Sequence, residues 1–123
     1  MNLSENSSKF QYGVSLFNSR QFFEAHETWE EIWLQSAEPE KAFLQGIIQI
    51  AAAFHHYLRG NSPGCRSLLN AGLLRLTECP SDFRGIALDS LRENAREWTA
   101  QLAEGHDPGP SRVPRIGHAR NSS

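Results

Sequence analysis

Cysteine is scarce in this 123-residue chain: Cys65 and Cys79 are the only two, and no CxxC spacing occurs. That excludes a disulfide framework and a multi-cysteine metal site. If both lie near opposite ends of one helix, a rise of ~1.5 Å per residue separates them by roughly 21 Å, so they cannot pair and each is expected to be a small buried apolar residue. Long apolar runs are also missing. No window approaches the ~18 apolar residues of a membrane span, and the opening MNLSENSSKF has neither the basic start nor the apolar stretch of a signal peptide. A cytoplasmic protein with no membrane partner is the expectation. Neither charge is in large excess: 12 lysines and arginines stand against 14 aspartates and glutamates, a net charge of −2. No overall field gathers nucleic acid, so none is expected as a partner. A Gly-rich phosphate loop and a G-x-S-x-G elbow are absent, and no cysteine sits near a histidine in sequence. The usual templates for phosphate binding and for serine or cysteine nucleophiles therefore do not apply.

Sustained alternation with turn signals is missing as well, whereas apolar residues recur at helical spacing almost everywhere. The fold class is all-α: a compact bundle of about five helices built from packed antiparallel hairpins. Phe10, Val14 and Phe17 mark a first helix over about 5–19, and NSRQ interrupts it before a second runs from about 21 to 35. The third, about 38–59, is apolar on nearly every side through AFLQGIIQIAAAFHHYL, as a central helix should be, and Gly60 closes it. GNSPGC opens a fourth helix with Asn61 or Ser62 as its cap, and Gly72 within it is expected to permit a close helix contact. A fifth helix, about 82–104, buries Ala87, Leu91, Ala95, Trp98 and Leu102. The helical domain therefore covers 1–104. Residues 105–123 form a tail rich in proline and glycine, extended or disordered, in which Val113 and Ile116 offer anchors to the bundle and the arginines a docking surface.

The second helix carries FFEAHETWEEIW. At 100° per residue Phe22, His26, Trp29, Glu30 and Trp33 fall on one side, with Phe23 and Leu34 at its margin and Glu24, Glu31 and, less clearly, Glu27 on the other. A carboxylate among aromatics must be hydrogen-bonded, metal-bound or close to water. On the third helix Gln45, Gln49, Ala52 and His56 align, while His55 lies about 100° away. If these faces meet, two imidazoles, a carboxylate and two amides converge, and three readings follow. His26 and Glu30 at i and i+4, completed by His56, could hold a divalent metal such as zinc, iron or manganese. Gln45 and Gln49 would then bind the ligand, and Glu27 at the rim would act as general base. The same residues could line a small-molecule or peptide pocket without metal. Or they could form a satisfied buried network that fixes helix register and does no chemistry. The HETWE stretch is a poor match to HExxH, because Glu30 stands where the second histidine belongs. The row Glu24, Glu27, Glu31 reads as a solvated face that would also suit a basic partner.

FNSRQFFEAHETWEEIW followed by LQGIIQIAAAFHHYLRGN resembles a family of small bacterial and archaeal proteins known as domain of unknown function 309. The resemblance covers about residues 10–77. Its pattern maps onto Phe22, Phe23, Glu24, His26, Glu27, Trp29, Glu30, Gln45, Gly46, Gln49 and His56 or His55. It implies an all-α fold of packed hairpins, and because some members are labelled metal-dependent hydrolases it makes hydrolysis at a metal one expectation. The competing expectation is a hairpin module that binds a protein partner or a second copy of the chain, with the polar cluster structural.

Overall fold

The computed structural model describes residues 3–119; residues 120–123 of the expected tail lie outside them. Five α-helices dominate: α1 (Leu3–Asn18), α2 (Phe22–Trp33), α3 (Glu40–Leu58), α4 (Ser62–Arg75) and α5 (Leu88–Ala103). The all-α reading and the two hairpins, α1–α2 and α3–α4, agree with the sequence analysis. In the first hairpin Phe17 stacks edge-on with Phe22 and Phe10 packs on Trp29, the pairing of an antiparallel turn. The turn between them needs a left-handed residue, supplied by Arg20 at φ 65°. In the second hairpin Gly60, at φ 82°, reverses the chain after α3, and the Asn61 side chain caps α4 by accepting from the Gly64 amide at 3.0 Å.

The helix α3 is central because it is apolar on most sides: Phe43, Leu44, Ile47, Ile50, Ala51, Ala53 and Phe54 are fully buried. It packs on α2 along one flank and α4 along the other, while α1 packs on α2 and α5 on α4. Two backbone approaches set this arrangement. At the α3–α4 crossing Gly46 meets Gly72, as expected for Gly72: a Cβ on Gly72 would lie 2.8 Å from the Gly46 carbonyl oxygen. At the α1–α2 contact Gly13 leaves room for the Trp29 indole, whose N–H donates to the Phe10 carbonyl at 3.2 Å. Cys65 is buried on α4, and burial pushes its thiol up to about 12. It and Cys79 are both free.

The fifth helix begins later than the sequence suggests. Asp82–Phe83 (β1) and Ile86–Ala87 (β2) pair as an antiparallel hairpin, with Phe83 opposite Ile86. The loop residues Arg84 and Gly85 both have positive φ, 54° and 78°, the geometry of a type I′ turn. Phe83 stacks on Phe43, and Arg84 reaches Glu40 at 2.6 Å, which ties the hairpin to the start of α3. After α5 the chain turns at Gly105 and, with one 3₁₀ turn at Pro110–Arg112, crosses back over the bundle, burying Val113 and Ile116. No helix among the described residues is long and apolar enough to cross a membrane.

Candidate functional site

The buried stripe of α2 is Phe22, Ala25, Trp29 and Ile32, rotated from the side expected. The reason lies in α1: the indole of Trp29 docks over Gly13, which turns Ala25 and Ile32 inward and moves His26, Glu30 and Phe23 toward the edge. His26 and Glu30 therefore do not sit within the aromatic core. They pair with each other on the surface of α2, Nε2 to Oε2 at 3.0 Å, with the side chains 28% and 49% exposed. The network reading predicts that this pair holds the fold, whereas an exposed i,i+4 pair contributes little. His26→Ala is accordingly expected to change the unfolding free energy by less than about 1 kcal/mol, measured by urea denaturation.

The third helix divides its polar residues between its two neighbours. Gln45 lies with Glu30, Trp33 and Ile48 along a shallow groove between α2 and α3. Gln49 leans the other way, its Cβ beside Gly72 on α4, and its Oε1 is buried without a hydrogen-bond partner. His56 also turns from α2: its Nδ1 lies 3.1 Å from Asn61 Nδ2, which joins it to the cap of α4. Its neighbour His55 is the histidine that meets α2, with its ring 5.4 Å from that of Phe23. Partial burial, then the nearby Arg59 charge and His56, hold His55 below the ordinary imidazole value.

The structure thus brings His26 to Glu30, and Glu30 to Gln45, but does not bring His56 or Gln49 to either. Among the described residues no three histidine, cysteine, aspartate or glutamate side chains are placed to hold one metal ion. A His26, Glu30, His56 centre does not fit this geometry, and no hydrolytic step through zinc, iron or manganese is derived from it. Glu27 lies on the rim of an open concavity with Phe23, His26, Glu30, Glu31 and Leu34, where it faces solvent.

What the arrangement does offer is a continuous outward strip. Phe23 is 45% exposed, and its ring lies 6.0 Å from that of His26 and 5.4 Å from that of His55. Beyond Glu30 lie the half-buried Trp33 and Gln45, over the buried Ile48. The Trp33 indole N–H is buried without an acceptor, and Lys41 lies over its ring at 4.6 Å. Glu24 and Glu27 add negative charge along the exposed side of α2. Sequence reasoning places Phe23 at a margin and ranks His55 second. The i, i+3 spacing of Phe23 and His26, continued onto His55 of an antiparallel helix, is the signal available. A larger concavity, about 740 Å³, lies elsewhere, between the start of α3, the end of α4 and Phe83.

Comparison with known proteins agrees with this fold. Residues 10–68 match the family model described as domain of unknown function (DUF309). An uncharacterized protein of Aquifex aeolicus is 33% identical over 93 residues, 75% of this chain and 28% of that protein. The uncharacterized protein YpuF of Bacillus subtilis is 36% identical over 59 residues, 47% of this chain and 34% of its own length. The chain therefore spans about a third or less of the curated relatives it matches. The crystal structure of the conserved hypothetical protein TTHA0068 from Thermus thermophilus superposes with a TM-score of 0.64 at 32% identity, covering 73% of this chain and 94% of that one. On these matches the chain belongs to the DUF309 family of domains of unknown function.

Proposed function

We propose that this domain is a helical-hairpin interaction module whose α2–α3 strip receives a basic amphipathic helix of a partner protein. The observation that carries this reading is the outward convergence of Phe23, His26, Glu27, Glu30, Gln45 and His55, a set within the family pattern that the core does not use. A half-exposed phenylalanine flanked by two imidazoles is an anchor of the kind that dominates binding energy at interfaces. The trough between two antiparallel helices suits a helix in a groove. Its acidic rim selects for lysine and arginine and makes association sensitive to salt. The matched region forms a minority of longer chains in Aquifex and Bacillus, which suits a unit that is joined to other functions. The lack of a convergent metal-holding set among the described residues favours this reading over a metal-dependent hydrolase.

The test uses a synthetic helix with lysines on one face and leucines on the other, titrated into isotope-labelled protein. Chemical-shift changes are expected at Phe23, His26, Glu30, Gln45 and His55. Phe23→Ala, which leaves charge unaltered, should weaken binding by about tenfold or more. Shifts spread evenly over every acidic surface, with no effect of Phe23→Ala, would overturn the proposal.

A further inference from the structure

The chain after α5 is held in an unusual way. From residue 111 on, its hydrogen bonds to the rest of the fold run through its own backbone groups, while its apolar side chains enter the core. Asn18 at the end of α1 brackets Ile116, donating from Nδ2 to its carbonyl at 2.9 Å and accepting from its amide at 2.7 Å. The Trp98 indole N–H donates to the Arg112 carbonyl at 3.1 Å. Ala87 N–H donates to the Gly117 carbonyl and Ala119 N–H to the Gly85 carbonyl, both at 2.8 Å, so His118 is held opposite Ile86 in a single antiparallel bridge at the edge of β2. Side chains enter at Val113, Pro114 and Ile116, which are buried, while Arg112, Arg115 and His118 are exposed.

Backbone hydrogen bonds from a sheet edge and a bracketing amide, combined with apolar pockets for alternate side chains, form the usual apparatus for reading an extended peptide. The approach to this groove runs through Gly105 and Gly109, at φ 80° and 97°, with no atom packed where their side chains would be. Its one side-chain tie to the helices is the Tyr57 hydroxyl donating to the Asp107 carboxylate.

We propose that residues 111–119 are a ligand bound in cis, and that the groove formed by Asn18, Trp98 and the β2 edge takes the same segment from a second copy of this chain. Every contact named above for residues 111–119 is made between groups that a neighbouring molecule would present identically, so reciprocal exchange preserves those contacts and gives up only the Tyr57–Asp107 tie of the connecting stretch. The hinge length decides which partner is used, because an intramolecular segment competes at millimolar effective concentration. This inference does not depend on the α2–α3 strip.

The first test adds the free peptide SRVPRIGHA to the full chain carrying Ile116→Asp, which frees the groove of its own segment. Saturable binding is expected, with shifts of the Asn18 side-chain amide and the Trp98 indole N–H. Wild-type protein should bind at least about tenfold more weakly because its own segment competes. The second deletes Pro108 and Gly109 in the otherwise complete chain. Light scattering should then give a dimer that reverts to monomer on adding Ile116→Asp. A folded Ile116→Asp protein that ignores the peptide overturns the proposal, as does a shortened chain that stays monomeric, a result that stands even if Ile116→Asp fails to fold.

Discussion

Arg92→Ala is expected to lower the unfolding free energy by about 3 kcal/mol, a large share of the margin of a small domain. Arg92 is only 6% exposed, yet it carries a full charge. Its guanidinium donates to the carbonyls of Leu76, Cys79 and Pro80 at 2.7, 2.8 and 3.3 Å, and to Asp89 at 2.5 Å. These carbonyls end α4 and form the turn after it, where the helix dipole is negative and, apart from the Cys79 amide donating to Leu76 at 3.1 Å, no backbone donor among the described residues meets them. The arginine of α5 therefore serves as the cap of α4. Alanine would leave three acceptors without that donor, the Leu76 carbonyl in the interior and those of Cys79 and Pro80 partly buried. Asp89 matters less, because its carboxylate is 65% exposed. Asp89→Asn should change stability by less than about 1 kcal/mol in the same urea titration. Equal losses for the two variants would show that the ion pair, rather than the carbonyl cap, is the source.

Gly72→Val should be comparably damaging, by about 3 kcal/mol, and lower the midpoint of thermal unfolding by roughly 10 °C. Glycine in mid-helix is worth ~1 kcal/mol less than alanine, so a side chain there would ordinarily stabilise. Here the first atom added would sit 2.8 Å from the Gly46 carbonyl oxygen and 2.9 Å from Ile50 Cγ1. Backbone cannot yield as a flexible side chain does, so α3 and α4 must move apart, opening voids around Leu69 and Leu76. Gly46→Ala would meet Leu76 Cγ and Cδ2 at 2.6 Å, a fully buried side chain, with the Gly72 carbonyl oxygen farther off at 3.2 Å; it adds one carbon rather than three and its closest clash is not with backbone, so it should be milder. Calorimetry of the three proteins tests this order.

Helix existence and pairing were legible because they rest on spacing and punctuation that the chain carries locally: the apolar surround of α3, Gly60, Asn61 and the Gly72 contact. The hairpin at Asp82–Ala87 was not, since strands of two residues have no alternation to detect, and only the Arg84–Gly85 pair hinted at a turn. Arg92 was legible in principle, four residues after Leu88 and three before Ala95 on the buried face of α5. A charge within an apolar stripe asks for carbonyl partners, but which helix end supplies them is a tertiary fact. The candidate site was legible to within one helix face. Giving more weight to Trp33 than to Ala25 and Ile32 rotates α2 toward His26, and the choice between His55 and His56 depends on whether α2 or the α4 cap stands nearer.

The central claim is that the motif residues share an outward face and are divided between two neighbours, with His56 committed to Asn61 rather than to Glu30. The most direct test is a calorimetric titration of the untagged protein with zinc. The geometry predicts no saturable 1:1 binding that depends on His26, Glu30 and His56 together. One equivalent bound at micromolar concentration, and lost in each of His26→Ala, Glu30→Gln and His56→Ala, would contradict it.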